Sequence, residues 1–399
     1  MAIKVIGKFA VKQFKDIKKY GIEEFFRKFK LLLKKIFKTP IYLIALIPFL
    51  IIRIISPFVI IRIEKAPSSN FGAFAGQLAV YSLKKKFNVN QPTKKTIDLL
   101  YITPSDKIYN KQLAKMWKRT LRFFPGYILE PIDIVNRFFP GWEKYSIELL
   151  YSKAERDIDN LIEKYEPISF DDEEEKKGKE ILEKFGLNNE DKFVCLAVRD
   201  SAFQSKKVSS RFRDWSYHDH RNYDINSFLL AAETLAEKGY YVFRMGNVVE
   251  KPLISKNKKV IDYANSSLRS DFMDIYLGAK CSFCLSTCTG FFEVSYLFNK
   301  PIALLHLPVG DFPSHSDKYL LMTNDHILKK EKKKLSLSEI FSHGVAYAYD
   351  SSDFEKRGIE LVKNSPEEIK NLAIEMTENL EVHKIKNKND KLQKTFKNL

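Results

Sequence analysis

Apolar side chains recur at helical spacing from Ile22 through Phe25, Phe26, Phe29, Leu32, Leu33 and Ile36, with Arg27, Lys28, Lys30, Lys34 and Lys35 between them. This pattern predicts an amphipathic helix with a basic face. An apolar stretch follows from Ile41 to Ile52. As a helix it would rise only ~18 Å, short of the ~30 Å hydrocarbon core of a bilayer. Arg53 and Pro57 interrupt what comes next, and Phe58 to Ile63 reads as a strand. A small-residue loop from Ser68 to Gly76 leads into a helix through Leu83, a second strand from Thr96 to Thr103, and a helix after Asn110 carrying Leu113, Met116 and Trp117. Strand, loop, helix, strand predicts the start of a parallel sheet. Residues 143–186 read as mostly helical, with the acids from Asp171 to Glu175 as a solvated helix start and Gly186 as a C-cap.

The second half has clearer punctuation. Phe193 to Val198 is a buried-strand run ending in Arg199-Asp200. Ile225, Phe228, Leu229, Ala232 and Leu235 trace one helix face that stops at Gly239. Tyr240 to Phe243 is the next strand, ending in Arg244-Met245-Gly246-Asn247. Cys281 to Leu285 is another, ending in Ser286-Thr287-Cys288-Thr289-Gly290, where a helix opens with Phe291-Phe292-Glu293. Pro301 to Leu305 is the last expected strand. Ser365-Pro366-Glu367-Glu368 is a helix start, with Ser at the cap and Pro at the first position. The pattern is that of an α/β protein.

Composition narrows the class. The chain has 399 residues, 45% hydrophobic and 29% charged, which excludes a disordered chain and a polytopic membrane protein. The length predicts two full-sized domains. The net charge of +17 implies an acidic partner, and it is uneven: residues 1–40 hold twelve Lys/Arg against three acids. The basic residues crowd the terminal segments beside apolar stretches rather than joining aromatics on a folded face, so no nucleic-acid partner is expected. A basic amphipathic helix followed by a short apolar stretch suits an anionic membrane surface, entered without being crossed. The other reading is a helix packed on its own domain. No cleavable signal precedes the folded part, so the expected location is the cytoplasmic face of the inner membrane, peripheral or monotopic.

Four cysteines make no disulfide framework. Strand alternation would put Cys281 and Cys284 on opposite faces, against a tetrahedral metal site, so buried small residues are the better reading there; no metal and no cofactor are expected elsewhere either.

In open α/β sheets ligands bind beyond the carboxyl ends of the strands. There the sequence places Arg199, Arg244, Gly246, Ser286, Thr287 and Thr289, with Gly290 where a helix N-terminus points its free N–H groups outward. Guanidiniums and such a terminus suit a diphosphate, and Glu293 on the first helical turn suits ribose hydroxyls. Neither a phosphate-loop nor a dinucleotide glycine motif is present. Tyr217 to Asn222 is the densest polar cluster. It reads either as a site for a general base at His218 or His220, or as a solvated capping loop.

The second half resembles bacterial glycosyltransferases of surface-polysaccharide gene clusters. The matching stretches are Val198 to Phe203, Tyr217 to Asp224, Phe243 to Gly246, Ser270 to Asp274, Thr289-Gly290 with Lys300-Pro301, and Gly358-Ile359 through Asn364 to Ile369. The first half matches more loosely through Ile61 to Ile63, the Gly72 loop, and Asn110 with Trp117. The resemblance implies a GT-B-like architecture: two Rossmann-like domains facing a cleft, behind a basic amphipathic membrane-associating segment. The expected divisions are 1–57, 58–170 for the acceptor, 171–350 for a nucleotide-sugar donor, and 351–399 for C-terminal helices and a basic tail. The implied roles are acceptor contacts at Gly72, Gln77 and Asn110, acid–base work at His218 and Asp200, and donor contacts at the strand ends. The implied partners are a nucleotide sugar, used as substrate, and a lipid-linked glycan acceptor. Relatives carry Gly-His where this chain has Gly72-Ala73. That departure leaves open an inactive relative serving as a membrane scaffold.

Overall fold

The computed structural model describes residues 22–150, 158, 161–202, 220–305, 308–311, 316 and 318–381. Its first sheet contains β1 (Ile60–Lys65), β2 (Thr96–Tyr101) and β3 (Phe123–Phe124), parallel and in that order. The helix Phe71–Lys86 connects β1 to β2, and Lys111–Thr120 connects β2 to β3. Across β1 and β2, Arg62 and Asp98 stand side by side in register. Asp98 accepts from Arg62 Nε at 2.7 Å and Nη2 at 2.9 Å, from Tyr81 Oη at 2.7 Å, and from Lys85 Nζ at 2.6 Å. Burial opposes its charge, but these donors win and hold the carboxyl at about 2.

The second sheet is built from β4 (Phe193–Ala197), β5 (Tyr241–Arg244), β6 (Val260–Ile261), β7 (Phe283–Thr287), β8 (Ile302–Leu305) and β9 (Tyr319–Met322). All pair in parallel, in the order β6-β5-β4-β7-β8-β9. The strand order therefore reverses between β4 and β7. Every residue of β4, β7 and β8 is buried, as expected of a parallel sheet covered on both faces. Cys195, Cys284 and Leu304 face the helices Asp271–Lys280 and Phe292–Leu297. Val194, Leu285 and Ala303 face the helices Leu229–Glu237 and Pro366–Glu381.

Several expected boundaries shift. The strand at Pro301 to Leu305 is not the last. β9 follows, then a small antiparallel sheet of β10 (Asp325–Leu328), β11 (Lys333–Lys334) and β12 (Ile359–Val362), in the order β11-β10-β12. β12 pairs with β10 across the division expected at 350, and the helix Pro366–Glu381 covers the second sheet, so residues 351–381 are part of the second unit. Within 143–186 the described helix is Asp172–Lys184, joined by the short turns Trp142–Tyr145 and Ile162–Lys164. Its acidic start is less solvated than expected. Asp171 and Glu174 form a capping box, and Glu174 is buried against Arg119 and Lys115, which hold its carboxyl at about 2 against the pull of burial. Cys281 precedes β7 and packs with Cys195 and Cys284 in one core, so the opposite-face argument fails; all four cysteines are buried thiols.

One continuous core joins the two sheets. Phe74, Leu78 and Trp117 of the first unit pack with Met273, Tyr276 and Phe291 of the second, and Trp117 Nε1 donates to the Phe74 carbonyl at 2.9 Å.

The chain enters the first unit through a single helix, Ile22–Ile55, running through Pro40 and Pro48. Ala45 and Phe49 are buried against Leu129, Ile132 and Val135, and Arg53 donates to the Pro140 carbonyl at 3.0 Å and to Asn136 at 2.9 Å. The opposite stripe, Leu43, Ile44, Ile47, Leu50, Ile51 and Ile54, is exposed, as are Ile22, Phe25, Phe26 and Phe29. Among the described residues no helix is long and apolar enough to cross a membrane.

Candidate functional site

The strand-order reversal leaves a crevice, because the chain leaves β4 toward one side of the sheet and β7 toward the other. A cavity of about 390 Å³ opens there. Its floor is the chain following β4, Val198 to Asp200, and the turn after β5, Met245 to Val249. Thr289 to Phe291 line one side, and Asp274 lies deep in it. The roof comes from the first unit: Ser69 to Gly72 and Tyr109.

Close approach of the two units sets the shape of the cavity. A Cβ on Gly72 would stand 2.9 Å from Gly290 Cα, and one on Gly290 would stand 2.9 Å from Gly72 N. Backbone thus meets backbone at the seam. Beside it, Asn70 caps its helix by accepting from Ala73 N at 3.1 Å. Asn110 caps the next helix by accepting from Leu113 N at 2.8 Å, and its Nδ2 donates to the Asp271 carbonyl at 2.8 Å. Lys111 N donates to Asp271 Oδ2 at 2.9 Å. Asn110 is therefore a brace between the units. Gln77 is half-buried on the helix Phe71–Lys86 and does not line the cavity.

The strand-end residues divide into two groups. Arg199, Gly246, Thr289 and Gly290 line the cavity. The others build it from behind. Arg244 is buried, its Nη1 donating to Asp262 at 3.1 Å and its Nη2 to the Lys251 carbonyl at 3.1 Å. It braces the loop after β5 and lines a second, smaller cavity with Asp200 and Lys363. Ser286 Oγ donates to the Ala197 carbonyl at 3.0 Å, and Thr287 Oγ1 accepts the Arg199 N–H at 2.8 Å. These two hydroxyls tie β7 to β4 at the reversal. Thr289 Oγ1 accepts the Phe291 N–H at 3.1 Å, shaping the turn. Glu293 is buried beneath Gly72 and is not among the residues lining the cavity. Asp200 lines the cavity, but its oxygens accept from Ala202 N at 3.0 Å and Glu250 N at 2.9 Å. These bonds organise the loop.

His218 lies outside the described residues. His220 is placed: its Nδ1 is 2.8 Å from Ser351 Oγ, and its ring packs near Phe354. Arg221, from the same cluster, donates to Cys288 Sγ at 2.6 Å.

Two cavity residues escaped the sequence reading. Asp274 lies one turn inside its helix, accepts from Tyr263 Oη at 2.9 Å and pairs with Arg269. Burial pushes its carboxyl up, with Arg269 opposing. Tyr109 stacks on Phe71 at 5.0 Å and is hydrogen-bonded to Asn247. Burial and the Asp274 charge push its phenol up to about 12. Asp274 falls within the resemblance stretch Ser270 to Asp274, a signal that was legible. Tyr109 carried none, since a tyrosine before a capping Asn has no motif. Among the described residues, no group of three or more His, Cys, Asp or Glu is placed to hold a metal ion.

No protein-family model matches the sequence, and no curated protein matches it. Among solved structures, the chain is similar to the ADP-heptose lipopolysaccharide heptosyltransferase II of E. coli, at 12% identity over 81% of this chain and 100% of that one, with a TM-score of 0.39. It is similar to a family 9 glycosyl transferase of Veillonella parvula, at 11% identity over 80% of this chain and 98% of that one, with a TM-score of 0.41. A third likeness is to an E. coli heptosyltransferase solved with ADP, at 10% identity over 66% and 93%, with a TM-score of 0.33.

Proposed function

We propose that the chain is a GT-B-like glycosyltransferase that moves a sugar from a nucleotide-sugar donor to a lipid-linked acceptor at the cytoplasmic face of a membrane. The observation that carries this reading is the cavity at the β4/β7 reversal, roofed by a second α/β unit through the Gly72–Gly290 contact. The sequence resemblance points the same way.

In this reading the donor diphosphate lies between Arg199 and the turn Thr289 to Phe291. The nucleoside lies along Gly246 to Val249. An acceptor hydroxyl attacks the anomeric carbon, the bond from that carbon to the phosphate oxygen breaks, and the nucleoside diphosphate leaves with the electron pair. Arg199 offsets the charge that grows on the leaving group. The hydroxyl proton passes to a carboxylate at the cavity. Asp200 and Asp274 both line it; Asp200 already accepts from Ala202 N and Glu250 N, and Asp274 from Tyr263 Oη and Arg269, so either must give up one of these bonds to take the proton. The exposed apolar stripe of the helix Ile22–Ile55 and the basic residues before it seat the enzyme on anionic lipid.

The deciding measurement is thermal stabilisation of the detergent-purified chain by UDP, GDP, CMP, dTDP and ADP, beside Arg199→Ala. Selective stabilisation by one nucleotide, lost in the variant, is expected. No response to any nucleotide from a folded protein overturns the reading. Ala73, where relatives carry histidine, favours the second reading, an inactive membrane scaffold. Nucleotide binding without donor hydrolysis or transfer would be its signature.

A further inference from the structure

We infer that the helix Gly126–Arg137 and Phe58 join the N-terminal helix in one face that lies in the surface of an anionic bilayer. The inference rests on the membrane seat of the reading above, which used the helix Ile22–Ile55 alone, and it names the side of the first unit that meets lipid.

The two helices form the outer layer of that unit. From their inner sides Ala45, Phe49, Leu129, Ile132 and Val135 pack with Ile63 of β1 and Tyr101 of β2. They run side by side in one direction. Ile41 and Tyr42 line a trough with Tyr127, Phe49 stacks on Phe139 at 4.6 Å, and Arg53 reaches Asn136 and the Pro140 carbonyl. The outer side of a helix on a water-soluble unit is polar. Here Ile47 is 64% exposed, Tyr127 71% and Phe138 82%, and Phe58, just past the first helix, is 85% exposed. A contiguous exposed apolar face marks an interaction surface.

Charge selects the occupant. From Ile41 to Phe58 the chain carries one charged residue, Arg53. Its guanidinium is turned inward to Pro140, Asn136 and the ring of Tyr145, 4.3 Å away. Cations stand at both ends of this apolar run. Before it come the twelve Lys/Arg of residues 1–40. After it, Lys144 Nζ lies 3.5 Å from Ser56 Oγ and Lys94 Nζ 3.5 Å from the Pro57 carbonyl. Glu130 is the one acid of the trough wall and is half-buried. Apolar surface between ammonium groups matches acyl chains beneath anionic headgroups. A second copy of this chain would instead bring its own cations against these.

Topology sets the orientation. β1, β2 and β3 are parallel, so their carboxyl ends share one edge of the sheet. From that edge β3 leads into Tyr127, and β1 into Ser69 to Gly72, the roof of the cavity. Two strand spacings, about 10 Å, separate those strand ends. Lipid at Tyr127 therefore stands on the cleft side of the first unit.

The test places a nitroxide on single added cysteines of the full chain, bound to vesicles of phosphatidylethanolamine and phosphatidylglycerol. The four native thiols are buried. The positions are Ile47→Cys, Tyr127→Cys, Phe138→Cys and, on the second unit, the exposed Ile254→Cys. Oxygen is expected to relax the first three probes more than a water-soluble nickel chelate does, with the opposite order at Ile254. Tyr127→Glu with Phe138→Glu should weaken vesicle binding about tenfold at unchanged unfolding, and Ile254→Glu should not. Nickel-accessible probes at Tyr127 and Phe138 beside an oxygen-accessible one at Ile47 would overturn the inference and leave the N-terminal helix as the whole seat. Probes shielded from both reagents, in a particle of twice the mass, would overturn it in favour of a second copy. No vesicle binding at all would remove both the inference and the membrane seat. Insertion of all three positions without any nucleotide response would sustain this face and remove the transferase reading.

Discussion

Gly72 and Gly290, 218 positions apart in the chain, meet backbone to backbone where the two α/β units close over the cavity. Neither has room for a Cβ, because the atom it would strike is main chain and cannot rotate away. Gly290→Ala should therefore part the units. The expected cost is ~1–3 kcal/mol of stability, together with loss of nucleotide stabilisation. Denaturant unfolding and thermal shift with nucleotide check both, and an unchanged thermal shift would refute the closure.

Two arginines at strand ends should separate by phenotype. Arg244 is buried between Asp262 and the Lys251 carbonyl, so Arg244→Ala removes both bonds, Asp262 keeping only Leu253 N and Asn265, and should cost ~3 kcal/mol. Arg199→Ala, on the cavity wall, should abolish nucleotide binding. Nucleotide binding retained by Arg199→Ala would contradict the division.

Asp98 makes acid stability predictable in sign. Its folded carboxyl, at about 2, lies below its unfolded value of ~3.9. The stabilisation is thus fully present above the unfolded value and fades as pH falls through about 2. Asp98→Asn should lose ~3–5 kcal/mol at neutral pH, since Arg62 and Lys85 are left without their acceptor. Urea titrations of both proteins at neutral pH and near pH 2 would show the gap narrowing with acid.

The N-terminal helix should show two independent faces. Phe49 is buried against the first unit, and Phe49→Ala should cost ~3 kcal/mol without altering lipid affinity. Ile44 and Ile47 are exposed, so Ile44→Glu with Ile47→Glu should release the protein from anionic vesicles at unchanged stability. Co-sedimentation and unfolding measure the two effects separately.

Much of the frame was legible in the sequence. The helix at Pro366 starts where Ser365 and Glu368 announce a cap, and both side chains make it. The acids after Asp171 open a helix, and Gly246, Thr289 and Gly290 line the cavity that their strand-end positions suggested. Local signals suffice there, because a cap or a strand end involves residues a few positions apart.

Bonds to distant partners were not legible. The Ser286 hydroxyl donates to the Ala197 carbonyl, 89 positions away. Arg244 reaches Asp262 and the Lys251 carbonyl. Asn110 Nδ2 donates to the Asp271 carbonyl, 161 positions away. Cys281 misled because the strand begins two residues later than its apolar run.

The sequence by itself determined the α/β class, the parallel first sheet, the basic apolar N-terminal segment and the stretch of chain that forms the cavity, since periodicity, caps and charge are local properties. Only the tertiary structure decided which side chains face the cavity and which brace it. Hydrogen bonds and burial are settled by whichever groups folding brings alongside, and the sequence does not record that proximity.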